Sequence, residues 1–273
     1  MSESQSKINT GRNLPVATAV GLSLLFLLIG LLYWNLYAFT AVIALAAILA
    51  TREILRLNNP GIPTSAVMMI ASPLIVIVAF DRGIGAATTT AAAFALFAMI
   101  VRLFDGVEGY IHATGSILLA AFYGPVLLGF TVDLAHQPQG VGKVLTVILL
   151  TSASDTGGYF AGIFFGRHPM APAISPRKSW EGFVGSLVLA AIVGAFLITK
   201  LVDISVEQGF ILGIGMAATA TAGDLIESAL KRDAGVKDSG TMFPGHGGIL
   251  DRIDSQLVNS LIAWFAFTIV FGV

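Results

Sequence analysis

The chain has 273 residues, of which 56% are hydrophobic and only 11% charged, against about 25% charged in an ordinary globular domain. Fifteen Lys and Arg against 16 Asp and Glu give no global basic field, which argues against a nucleic-acid partner and leaves the placement of the charges as the informative feature. The absence of cysteine excludes disulfides, thiolate metal sites and a cysteine nucleophile, so any chemistry rests on carboxylates, Lys, Arg, His and hydroxyls.

Apolar runs of about 17 to 25 residues can cross the hydrocarbon core as helices. Nine candidates occur in chain order, near 14–33, 36–51, 64–80, 84–101, 114–132, 144–166, 182–199, 208–226 and 254–271. The expected fold is all-α: a polytopic integral membrane protein with about nine transmembrane helices in the bilayer. Lys7 and Arg12 precede the first run as they would in a signal peptide. That run exceeds an h-region of about 7 to 15 residues, however, and no small-residue cleavage site follows, so a retained helix is expected. With the N-terminus in the cytoplasm, twelve Lys and Arg fall inside and only Arg82, Lys143 and Lys200 outside, the bias that cytoplasmic loops carry.

Within the first half, EILRLNNPG (53–61) reads as a helix end stopped by Asn58, Asn59 and Pro60, with no chemistry implied. The small residues of GIGAATTTAAAFALF (83–97) favour close helix packing. Residues 1–140 are accordingly expected to provide packing and lipid access, and residues 141–273 the catalytic site on helices and cytoplasmic loops.

Three clusters in the second half break the hydrophobic pattern. In SASDTGGYFAG (152–162), Asp155 lies about eleven residues from the cytoplasmic end of its run, roughly 16 Å deep at 1.5 Å per residue. A carboxylate at that depth needs a polar cavity or a partner. Gly157 and Gly158 beside it allow a loosened or broken helix as well as a continuous one. In SPRKSWEG (175–182), Arg177 and Lys178 are cationic donors suited to phosphate, and Ser179 is placed to cap the following helix. The same residues would also serve an ordinary cytoplasmic loop with Trp180 as an interfacial anchor. From GDLIES onward, Asp224, Glu227, Ser228 and Lys231 are spaced i, i+3, i+4 and i+7 and share one helix face. Arg232, Lys237 and Asp238 follow, then PGHGG, then Asp251 and Asp254 at the start of the last helix. Acids for a metal, bases for phosphate and a flexible glycine backbone together indicate a nucleotide or pyrophosphate site. No Walker-type or dinucleotide-binding glycine motif is present.

The segment SALKRDAGVKDSGTMFPGHGGILDRID (228–254) resembles, over 27 positions, the signature of the phosphatidate cytidylyltransferase family. SPRKSWEG is similar to the family's SPKKTxEG segment, with Arg177 at a lysine position and Ser179 at the threonine position, and DTGGYFAG is similar to its aspartate-containing membrane segment. The resemblance implies attack of the phosphate of phosphatidic acid on the α-phosphorus of CTP, giving CDP-diacylglycerol and pyrophosphate. It implies a bacterial inner-membrane enzyme with its site facing the cytoplasm. A homodimer is compatible with it.

On that basis the metal, Mg²⁺ with a second cation left open, is assigned to Asp224, Asp251 and Asp254, with Asp155 and Glu227 as further candidates. Lys231, Arg232, Lys237, Asp238 and His246 join Asp224 and Asp251 as the catalytic set, with His246 orienting or donating rather than abstracting a proton. Arg177, Lys178, Ser179, Ser228, Gly245, Gly247, Gly248 and Arg252 are assigned to substrate binding. Two other readings stay open from the residues alone: a transferase or kinase acting on a polyprenyl phosphate, and a secondary transporter using Asp155 as an ion site.

Overall fold

A computed structural model describes residues 14–58, 60–240 and 247–273. Apart from one short hairpin, the described chain is a bundle of helices. In order these are α1 (Leu14–Trp34), α2 (Leu36–Asn58), α3 (Ile62–Arg82) and α4 (Ile84–Leu103), then α5 (Tyr110–Leu118), which passes through a π-helical stretch (Leu119–Val126) into α6 (Leu127–His136). The second half comprises α7 (Gly140–Phe165), the strands β1 (Pro169–Ala171) and β2 (Ser175–Ser179), α8 (Trp180–Phe196), α9 (Val206–Asp233) and α10 (Leu250–Trp264), which ends in a second π-helical stretch, Phe265–Phe271.

Among the described residues, seven helices are long and apolar enough to cross a membrane, against the nine expected. At 26 residues α7 is long enough, but Lys143 and the run TSASDTGG make it more polar than a simple span. The described apolar part of α1 covers only Leu25–Trp34. The protein is an all-α integral membrane protein, and its side-chain distribution fits lipid. Small residues face inward, as with Ala87, Ala91, Ala95 and Ala98 on α4, while Leu96, Phe97 and Ile100 of the same helix point out. A hydrocarbon solvent gives apolar side chains no reason to turn inward, so close backbone packing decides which face is buried.

Gly157 and Gly158 do not break α7, which is continuous to Phe165. They let α8 approach instead: a methyl at Gly158 would meet Ser186 Oγ at 2.6 Å, and one at Gly185 would meet the Gly157 carbonyl at the same distance. Lys143, expected as an outside loop charge, is fully buried and donates to Gln137 Oε1 (3.0 Å) and to the Val273 carbonyl (2.6 Å). It therefore carries no topological information. One apolar core runs through both halves of the chain, from Leu32 and Phe39 to Leu257 and Phe267.

Candidate active site

The polar face expected on the eighth run is real, because α9 stays helical to Asp233, well past the end of the apolar pattern. Alongside it, α10 comes unusually close. A methyl at Gly223 would lie 2.9 Å from the Asp254 carbonyl and 3.2 Å from Ser255 Cα, so glycine at 223 lets the two helices meet where their acids are. Asp224, Glu227 and Asp254 each offer a carboxylate oxygen, and these three atoms lie within 4.8 Å of one another.

Two lysines face this group. Lys178 Nζ, at the end of β2, pairs with Asp224 Oδ2 at 2.6 Å and donates to the Thr221 carbonyl at 3.2 Å. Lys231 pairs with Glu227 one turn away on α9 and with Asp251 Oδ1 across to α10 at 2.6 Å. An ammonium has three N–H groups, so among the described residues two are committed and one remains for a ligand. Glu227 is fully buried, and its Oε1 has no hydrogen-bond partner among the described residues. Three carboxylates with hard oxygen donors, one of them with an unused buried lone pair, fit a divalent cation such as Mg²⁺.

Asp251 is committed otherwise. Besides Lys231, it accepts from the N–H groups of Gly248 (2.7 Å) and Ser239 (3.0 Å), both on its Oδ2. The expected grouping of Asp251 with the metal acids is thus not what the geometry gathers; Glu227 stands there instead. Gly248 likewise spends its N–H on a carboxylate rather than keeping it for phosphate. Gly247, at φ +78°, has the left-handed backbone that glycine favours, and a methyl there would meet Asp251 Oδ2 at 2.5 Å.

Asp224 also lines a cavity of about 340 Å³ between α7, α8, α9 and the hairpin. Asp155, Arg177, Lys178 and Ser179 line the same space. Asp155 lies ten residues before the end of α7 and Asp224 nine before the end of α9, roughly 14 to 15 Å from the ends of their helices. Ser179 caps α8 as expected, accepting from the Gly182 N–H at 3.1 Å. Behind it, Glu181 receives the N–H groups of Arg167 (3.1 Å) and His168 (3.2 Å) and pairs with the His168 ring at 2.5 Å, which ties the hairpin to the start of α8.

Other expected residues are more peripheral. Ser228 donates to Asp224 Oδ1 at 3.3 Å. Arg232 holds the hairpin through the Ile174 carbonyl at 3.3 Å, and Lys237 and Asp238 are exposed. Arg252 lies on the other side of α10, lining an apolar cleft of about 430 Å³ bounded by α1, α2, α6 and α7. Gly245 and His246 lie outside the described residues.

One site residue escaped the sequence reading altogether. Glu53, in the segment taken as a bare helix end, is buried and accepts from Ser239 Oγ and from the N–H groups of Ile249 and Leu250. An acid in a largely apolar helix is a usable signal, but beside Arg52 and Arg56 it looks like a solvated helix end.

Comparison with known proteins agrees with the geometry. The cytidylyltransferase family model matches residues 15–270. A phosphatidate cytidylyltransferase of Mycobacterium bovis is 35% identical over 275 residues, covering 95% of this chain and 90% of the relative. The enzyme of the same name from Mycobacterium leprae is 34% identical, covering 97% and 92%. That of Haemophilus influenzae is 41% identical over 138 residues, covering 48% and 47%.

Proposed function

The chain belongs to the cytidylyltransferase family, and from that premise we propose that it transfers the cytidylyl group of CTP to phosphatidic acid, giving CDP-diacylglycerol and pyrophosphate. The observation that carries the assignment to a site is the meeting of three carboxylates and two lysines, of which Asp224 and Lys178 also line the adjoining cavity. An oxygen of the lipid phosphate attacks the α-phosphorus of CTP, and the bond from that phosphorus to the oxygen bridging to the β-phosphate breaks. Pyrophosphate leaves with the bonding electrons. The attacking oxygen is already anionic, so no strong general base is needed, and the protein contributes position and charge.

In this reading Asp224, Glu227 and Asp254 would hold Mg²⁺, with Asp155 facing the same cavity. When bound, the ion offsets charge on the phosphate oxygens. Arg177 and Lys178, at the wall of the cavity, bind phosphate from the water side. Lys231 is pinned by Glu227 and Asp251 with its third N–H turned to a phosphate oxygen. The hairpin and α8 close the cavity around the substrates. The excess of Lys and Arg in the loops that carry the site supports a position at the cytoplasmic face of the bacterial inner membrane, where CTP would arrive from water and the lipid phosphate from within the bilayer.

The test is pyrophosphate release by detergent-purified protein given phosphatidic acid, Mg²⁺ and each of CTP, UTP, ATP and GTP. Release is expected with CTP only and only with the lipid present. Asp254→Asn is expected to lower it roughly 100-fold or more, the scale set by removing one preorganised charge-stabilising group. Folded protein that releases no pyrophosphate with CTP and phosphatidic acid would overturn this substrate pair.

A further inference from the structure

Glu53 on α2 lies outside every cluster to which the sequence assigns chemistry, yet only 4% of it is exposed. A carboxylate is buried only where donors replace its water. Here they come from both ends of one distant segment. Oε1 accepts from the Ile249 N–H at 3.0 Å, and Oε2 from the Leu250 N–H at 2.9 Å and from the Ser239 hydroxyl at 2.9 Å. The Ser239 hydroxyl stands 2.9 Å from Asp251 Oδ2 as well, but it has a single hydrogen. Asp251 is already served by two backbone N–H groups and Lys231, which leaves that hydrogen for Glu53.

The neighbouring glycines are shaped to this carboxylate. A methyl at Gly240 would stand 2.5 Å from Glu53 Oε1, and one at Gly248 would run into both carboxylate oxygens. Glu53 also meets the positive end of α10, whose first N–H groups have no partner within the helix.

We infer that Glu53 is a positioning residue for the transfer reaction: it clamps both stems of the 239–250 segment, so that α10 starts in the register that sets Asp251 on Lys231 and Asp254 beside Asp224 and Glu227. The inference rests on the functional reading of the site given above. It makes α2, from the half of the chain expected to provide packing and lipid access, part of the catalytic scaffold.

The experiment uses the full-length protein and Glu53→Gln, which keeps the shape but turns an N–H₂ toward donors. Expected is a loss in kcat of roughly 100-fold, the scale of a small misplacement in a phosphoryl-type site, with the KM for CTP within about threefold of wild type. Ser239→Ala alone is expected to lower kcat by a smaller factor. Combined with Glu53→Gln it is expected to add nothing, because both act through one clamp. Independent, multiplying effects in that cycle, or wild-type kcat in folded Glu53→Gln, overturn the inference. Hydrogen–deuterium exchange of the ligand-free proteins separates this from the activity itself: the amides of residues 248–250 are expected to exchange at least tenfold faster in Glu53→Gln, with α3 and α4 unchanged. Unchanged exchange there overturns the clamp whatever the assay reads, whereas inactive wild type with accelerated exchange in the variant keeps the clamp and removes the reaction assignment. Should Glu53→Gln not fold, Gly248→Ala pushes a methyl into the same carboxylate. It is expected to give the same exchange and kcat changes, and folded Gly248→Ala with wild-type kcat and exchange overturns the inference too.

Discussion

A buried carboxylate that depends on one cation is a sensitive point, and Glu227 is such a residue. Lys231 is its ion-pair partner on the same helix. Removing one member of a buried pair strands the other, at a cost of about 3–5 kcal/mol, whereas replacing both is often close to neutral. Lys231→Met is therefore expected to lower the thermal unfolding midpoint in detergent markedly, and Glu227→Gln added to it is expected to recover much of the loss. An equal or lower midpoint in the double variant would show that the loss comes from Asp251, the other partner of Lys231, and not from a stranded Glu227. At this scale the sequence was partly legible. Helical periodicity is enough to put Asp224, Glu227, Ser228 and Lys231 on one face, since that relation is local. Glu53 was not legible, because its partners lie 186 to 197 residues away in the chain and no local rule connects them. The glycines of the signature segment were recognised, but not the side chains that they accommodate. Gly247 and Gly248 make room for the carboxylates of Asp251 and Glu53.

Among the elements, the contact of α7 with α8 and α9 fixes the cavity walls, and glycine sets the spacing. Gly185 faces the Gly157 carbonyl and Ala161, while Gly194 and Gly209 face each other across the α8–α9 contact. Forcing a branched side chain into such a contact costs about 1–3 kcal/mol or more through overpacking. Gly185→Leu is expected to lower both the unfolding midpoint and the activity. Gly85→Leu, at a position with open space around it, is expected to leave both near wild type. Comparable losses in the two variants would detach the glycines of α8 from any special role. Helix existence was readable from the apolar runs, but helix ends were not. Hydropathy reports where lipid stops, and α2 and α9 continue as helices beyond that point on residues such as Arg, Glu and Leu that favour the conformation. The β1–β2 hairpin was missed because its pairing is short and its strands alternate weakly.

For the whole molecule, the orientation argument has a direct check. The chain contains no cysteine, so a single introduced cysteine reports on its own position. Ala173→Cys in the hairpin and Asp203→Cys before α9 are exposed sites at opposite ends of α8. A membrane-impermeant maleimide applied to intact cells is expected to label residue 203 and spare residue 173 until the membrane is opened. The reverse pattern would put the cavity on the outer face. The all-α membrane fold follows from composition and the length of the apolar runs, whereas the number of spans depends on α1, whose described apolar part covers only Leu25–Trp34, and on α7, whose polar middle belongs to the cavity as much as to the bilayer.

The clamp on Glu53 bears on how this chain can be recombined. An exchange of N-terminal helices between relatives, made at the connection after α6, would look safe because it leaves the 228–254 segment intact. It would also separate residue 53 from the glycines at 240 and 248 whose missing side chains accommodate it. The two parts must come from one parent or from parents that share that fit, so the joint between the halves is inherited as a unit.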